Sequence, residues 1–199
     1  MAIESLEGNI KGGVLLSRVA LVRARVGADG LARVLEKLPR DDRDVLHGIV
    51  LQSGWYPFGI EVRLDHAIAD ELGPSPEIFR AFGAQSAIDG LAKAQRGYAR
   101  GHDPHEMLRQ SAAIYRLYYD TGHRTYERIR DDSAVLRTHE SRSFAVSDCL
   151  TIVGWFEKAI ELCGATRVSV VESRCRTKGH TVCEYLCEWV MTRSDPPRS

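Results

Sequence analysis

The hydrophobic period of the chain changes once, just after Gly122, and this change constrains the fold more than any other feature of the sequence. Before it, apolar residues return at helical spacing. Residues 13–38 carry Val14, Leu15, Val19, Val22, Val26, Leu31, Val34, Leu35 and Leu38 at roughly helical spacing, with a break about 27–30, and they predict one or two amphipathic helices. Segments 41–51, 62–72 and 76–94 repeat the pattern, separated by Gly54, Pro57, Gly73 and Pro74. Asp103, Pro104 and Glu106 then supply an N-cap, a proline at the first helical position and a capping-box acid, so a helix is expected to run to about residue 121.

Beyond Gly122 the pattern becomes that of strands. Segments 124–130 and 134–140 flank the turn signal Asp131, Asp132, Ser133, and segments 167–175 and 181–190 flank a second turn around Gly179. Between the hairpins, Asp148 is placed to cap a helix that ends near Leu162, before Gly164. Hairpin, helix and hairpin imply an α+β fold, with an N-terminal helical layer (about 1–122) packed on a small C-terminal antiparallel sheet (about 123–192). A length of 199 residues suits one such domain and is short for two. The end, 193–199, with two prolines, reads as a disordered tail.

Charge and composition remove several classes of function. The 27 basic residues equal the 27 acidic ones, so no net field attracts nucleic acid or an anionic membrane. There is no N-terminal apolar h-region, and no run approaches the roughly 20 apolar residues that span a bilayer, so a cytoplasmic protein is expected. In that compartment five cysteines should be reduced, which favours metal binding or burial over disulfides. The sequence holds no nucleophile elbow, P-loop, dinucleotide-binding glycine fingerprint or HExxH helix, so no enzyme is expected.

The informative constellation lies near the C-terminus. Cys175 and Cys183 flank Gly179 evenly, so a hairpin centred there sets them opposite each other, with Cβ atoms about 5 Å apart. Glu172 precedes Cys175 by three positions, and Cys149 falls in the first turn of the preceding helix, where the helix dipole favours a thiolate. Three sulfurs and a carboxylate suit zinc, and four protein ligands leave no open position for water, so a structural Zn2+ site is expected. Positions three apart on an ideal strand face opposite sides, so Glu172 and Cys175 converge only across a bulge or at a strand end. His180, at the loop tip, is the alternative to Glu172. Cys187 is too far along its strand to share the ion and reads as core, as does Cys163.

The string Val-Val-Glu172-Ser-Arg-Cys175-Arg-Thr-Lys-Gly179-His-Thr-Val-Cys183-Glu-Tyr185 resembles the closing motif of 4-vinyl reductase domains, including its Glu-x2-Cys-x7-Cys spacing. That family includes the sensor domains of transcription activators that respond to phenols, in which an upstream cysteine completes a zinc site; Cys149 stands at the corresponding interval. The resemblance is specific over about 124–190. Families related by fold include the haem-based nitric-oxide sensors and Golgi transport-complex subunits. Haem is not expected, because the Tyr-x-Ser-x-Arg clamp of those sensors has as its nearest match Tyr126-Glu-Arg-Ile-Arg130, without the serine. His102 and His105, followed by Glu106, invite a metalloenzyme reading, but the helix start already explains their setting.

The resemblance implies a zinc-stabilised sensor or carrier for a small hydrophobic or aromatic molecule. It implies a homodimer formed through the N-terminal helices, with output through a separate protein partner. In the aromatic-sensing relatives a cavity lies between helices and sheet near the zinc. Trp155, Val168, Val170, Tyr185 and Tyr115 are therefore the candidate ligand-binding residues. The alternatives are a ligand-free adaptor with a filled core and an accessory protein of tetrapyrrole metabolism.

Overall fold

A computed structural model describes residues 4–94 and 103–191. His102 and the 193–199 tail lie outside the described residues. Four helices come first: α1 (Gly12–Glu36), α2 (Arg40–His47), α3 (Phe58–Leu72) and α4 (Pro76–Ala94). α1 kinks at Gly27, whose φ of 74° and ψ of −174° lie where only glycine sits without strain. On either side of the kink its apolar stripe stays continuous. Val22, Leu31, Val34 and Leu35 pack against Leu64 and Ile68 of α3 and Ile78, Phe79 and Phe82 of α4. These residues of α1 are buried within the chain, while Val19 and Val26 stay partly exposed.

The second part holds α5 (Pro104–Arg109), α6 (Ser111–Tyr118) and α7 (Val146–Leu162), and the strands β4 (His123–Arg130), β5 (Ser133–His139), β7 (Ala165–Arg174) and β8 (Cys183–Met191). These strands form one antiparallel sheet in the order β4-β5-β8-β7. Leu136, Val170, Tyr185, Cys187 and Trp189 turn to its inner face, against Phe156 and Ile160 of α7. Cys163 and Cys187 are both buried there. The chain is mixed α and β, with helices on one face of a C-terminal antiparallel sheet.

One helix crossing joins the two parts. A Cβ on Gly83 of α4 would lie 1.9 Å from the Thr151 carbonyl oxygen, and one on Gly154 of α7 would lie 2.1 Å from that of Arg80. Glycine on both sides lets the two backbones touch, which fixes α7, and with it the sheet, to the helical layer.

The structure departs from the sequence expectations at several boundaries. The helix expected over 103–121 is two helices broken at Gln110, and it ends at Tyr118; Tyr119 is extended and bridges Ile10. The segment read as helix over 41–51 stops at His47, after which the chain turns back so that the Gly12 N–H donates to the Gly54 carbonyl. Asp148 does not cap α7, whose N-cap is Ala145. Asp148 sits inside the first turn, where its carboxylate accepts from the Tyr119 hydroxyl at 2.5 Å instead of from backbone. The strands β1 (Ser5–Leu6), β2 (Asn9–Lys11), β3 (Trp55–Pro57) and β6 (Ser143–Phe144) were not foreseen, because two or three residues show no period.

Candidate functional site

Ligand atoms of Cys149, Glu172, Cys175 and Cys183 lie within 4.8 Å of one another. The Cys149 sulfur is 3.7 Å from that of Cys175 and 3.9 Å from that of Cys183. The convergence has a local cause in each element. β7 and β8 slip register between Glu172 and Arg174, and this bulge turns Glu172 to the same side as Cys175. Beyond Arg174, which pairs with Glu184, a 3-10 turn at Arg176–Lys178 and Gly179 with φ 89° return the chain to Cys183. Cys149, at the end of the first turn of α7, supplies the third sulfur from above the sheet. His180 is exposed at the turn and is not in the cluster.

The cluster is electrostatically under load. Thiol hydrogen bonds from Cys149 and Cys183 hold the Cys175 sulfur well below the usual thiol range, while the hydrogen bonds to Cys175 and Cys183 push Cys149 well above it. Burial pushes the Glu172 carboxyl up to about 8, and its Oε1 is buried with no hydrogen-bond partner. Three sulfurs at these separations and an unsatisfied carboxylate are the donor set and spacing of a possible metal site.

A separate cleft of about 510 Å³, counted out to its mouth, opens between the helical layer and β4. Val14, Ile114, Ile152, Tyr115, Tyr118, Tyr119 and Trp155 form its apolar walls, and Arg18, Ser86, Arg124 and Thr151 its polar points. Tyr115 and Tyr119 stack with ring centroids 4.7 Å apart. A smaller recess, about 250 Å³ counted out to its mouth, shares Tyr115, Tyr119 and Ile152 with the cleft and reaches Cys149 and Cys183. The cleft and the cysteine cluster are therefore neighbours.

The cleft floor rests on a buried charge network. Arg18 of α1 donates to Asp65 at 2.7 Å and makes an ion pair with Glu61, both on α3 and all fully buried. It also reaches Thr151 of α7 at 3.3 Å. Burial raises the Glu61 carboxyl well above its ordinary range, and Glu61 Oε2 has no partner. Sequence reading missed Arg18, Glu61 and Asp65: on helices they look like polar positions within an apolar stripe. The one available signal was an arginine among valines on the inner face of α1.

Of the five residues expected to bind a ligand, Trp155 and Tyr115 line the cleft. Tyr185 lines the smaller recess. Val170 is buried in the sheet core and Val168 packs at its edge, and neither lines the cleft or the smaller recess. Phe156, the neighbour of Trp155, is the residue that faces the strands, with its ring 5.9 Å from that of Tyr185; Trp155 turns the other way. His105, the described member of the histidine pair, is buried. Its Nε2 meets the Asp131 carbonyl at 3.0 Å and its Nδ1 the Tyr126 hydroxyl at 2.8 Å.

No family model and no curated protein matches this sequence, so no family is assigned. Solved structures do share the fold. An Fe(II) unliganded H-NOX protein from K. algicida aligns over 94% of this chain and 100% of its own, with TM-score 0.69 at 16% identity. An H-NOX protein from S. oneidensis in the Fe(II)NO ligation state aligns over 90% and 98%, with TM-score 0.69 at 15% identity. A structure described as probing heme distortion in the H-NOX family aligns over 95% and 100%, with TM-score 0.69 at 14% identity. These findings overturn the expectation of a structural Zn2+: the proteins that share the fold are described by Fe(II) and heme, and the cysteine cluster stands as a possible metal site with no ion assigned to it.

Nor does the cleft, as the described residues line it, offer a heme its usual axial ligand. An axial ligand must be a histidine, cysteine, methionine or tyrosinate. The cleft lining contains no histidine, cysteine or methionine, and both ring nitrogens of His105 are already bonded. Burial pushes the Tyr115 phenol up to about 12 and raises those of Tyr118 and Tyr119. The chain shares a fold with heme proteins, while the lining of its cleft holds no histidine, cysteine or methionine.

Proposed function

We propose that the chain is a sensor or carrier module that binds a small apolar or aromatic molecule in the cleft between the helical layer and the sheet, and passes the bound state to a separate protein partner. The cleft itself carries the reading. Its walls are mostly aromatic and aliphatic, and its few polar groups converge from different elements. The shared fold supports it, since one of the proteins with that fold is described with a small molecule, NO, on its Fe(II). The function is one of binding without turnover.

The cleft lies where a bound molecule could bias the packing of the two parts. Trp155 and Thr151 line it from α7, in the stretch whose backbone touches Gly83 of α4. We take the described residues as one domain on the same ground, since this crossing joins the helical core to the sheet core. Cys149, Glu172, Cys175 and Cys183 are proposed as the residues that would hold a metal ion, tying α7 to the β7–β8 hairpin beside the cleft. Elemental analysis of protein purified without added metal tests this, and absence of any bound metal together with free alkylation of all three thiols contradicts it.

The ligand reading is tested by a thermal-shift screen of phenols, indoles and naphthalene derivatives. A compound present about a hundredfold above its dissociation constant stabilises the fold by about 2.7 kcal/mol. For a chain of this length that raises Tm by about 5–11 °C. A hit should quench Trp155 fluorescence, and the quench should vanish in Trp155→Phe. A screen with no hit, or hits whose quench survives that substitution, contradicts the reading.

A further inference from the structure

Arg124, the second residue of β4, is 7% exposed and lines the cleft. Its Nε donates to the Thr138 hydroxyl at 3.1 Å. Its guanidinium carbon lies 4.8 Å from the Tyr115 ring centroid, 5.0 Å from that of Phe156 and 5.9 Å from that of Tyr185. Its Nη2 is buried without a hydrogen-bond partner, and Arg124 makes no ion pair among the described residues. The Asp148 carboxylate, which feels the Arg124 charge, is bonded to the Tyr119 hydroxyl instead. A guanidinium in such a place has aromatic faces around it and no anion bonded to it.

The other cation of the cleft is in the opposite condition. Arg18 spends its donors on Asp65, Glu61 and Thr151. Burying a cation with an open donor is costly unless a partner arrives. Arginine holds a planar fork that matches a carboxylate.

We propose that the cleft takes an apolar or aromatic monocarboxylate, and that Arg124 is the residue that selects the anion. This rests on the cleft reading above and adds the charge of the ligand to it. The apolar body would lie against Trp155, Ile152 and Tyr118, and the carboxylate would meet the open Nη2. The aromatic faces around the guanidinium orient the fork without neutralising it.

The test uses the full chain and two matched pairs, benzoate with benzamide and 1-naphthoate with 1-naphthamide, titrated calorimetrically at pH 7. Each pair keeps the shape and changes the charge. The wild-type chain should bind each carboxylate at least tenfold more tightly than its amide. Arg124→Gln should lose that preference while keeping its affinity for the amides, and Arg124→Lys should keep part of it, having the charge without the fork. If Arg124→Gln does not fold, as circular dichroism would show, the wild-type preference and its reduction in Arg124→Lys decide the question. Equal binding of carboxylate and amide to the wild-type chain overturns the role of Arg124 while leaving the cleft as a binding site. No binding of any of the four compounds overturns both.

Discussion

Gly83→Ala is the substitution that most sharply tests how the two parts of the molecule are joined. On an exposed helix face the change would stabilise, because alanine is favoured over glycine in a helix by about 1 kcal/mol. Here the added methyl would stand 1.9 Å from the Thr151 carbonyl oxygen and 2.6 Å from the Trp155 nitrogen, where ordinary contact begins at 3.4 Å. The carbonyl must retreat by the difference, about 1.5 Å. Neither group can rotate away, since both are backbone. Overpacking of this kind costs about 1–3 kcal/mol, occasionally more. With the clash at the upper end and the propensity gain set against it, the net loss is about 2 kcal/mol, or about 4–8 °C in Tm. Gly154→Ala, which meets the Arg80 carbonyl at 2.1 Å, should cost about as much. The double variant should lose less than the two single losses together, because one separation of the helices relieves both clashes. Thermal or urea unfolding reads all three values. A Gly83→Ala chain as stable as wild type, or more so, would refute the backbone contact of α4 and α7.

Further outcomes follow from the buried charges and thiols. Arg18→Met leaves Glu61 and Asp65 buried without their cation and should cost about 3–5 kcal/mol in urea unfolding; a loss below about 1 kcal/mol would mean the network is not closed as described. Burial raises the Glu61 carboxyl against the pull of Arg18, so the folded chain takes up this proton at a higher pH than the unfolded chain does, and stability should fall as pH rises above about 4.3. Glu61→Gln should flatten that slope, and an unchanged slope would show that Arg18 keeps Glu61 ionised. Burial pushes the thiols of Cys163 and Cys187 up to about 11 and about 12, so neither should react with iodoacetamide at pH 8 until the chain unfolds, as peptide mass mapping would show.

The sequence made the two-part layout readable because it depends on period alone. The switch from helical to alternating spacing after Gly122 marks the boundary between α6 and β4. The meeting of Cys149, Glu172, Cys175 and Cys183 was also legible, through the even spacing about Gly179, and the bulge at Glu172 answers the parity conflict in that reading. The identity of a metal was not legible, because donor types alone do not say which ion a cell supplies. The cleft was half legible. Tyr115 and Trp155 were aromatic signals, but which of Trp155 and Phe156 faces the sheet depends on the rotation of α7, and that is set by the contact of Gly154 with Arg80. Arg124 was invisible as a site residue, since a buried arginine and an exposed one are written the same way, and Arg18 left only the trace of an arginine within an apolar stripe.

The cleft is the centre of this account, and methyl NMR of the isoleucine-labelled chain tests it most directly. Ile114 and Ile152 line the cleft, Ile68 and Ile78 lie in the helical core away from it, and Ile49, Ile88 and Ile129 are exposed. Titration with 1-naphthoate should shift the Ile114 and Ile152 methyl signals in a saturable way and leave those of Ile68, Ile78, Ile49 and Ile129 in place. Shifts that never saturate, or that fall on the exposed isoleucines while Ile114 and Ile152 stay fixed, would contradict the assignment of this cleft as the binding site.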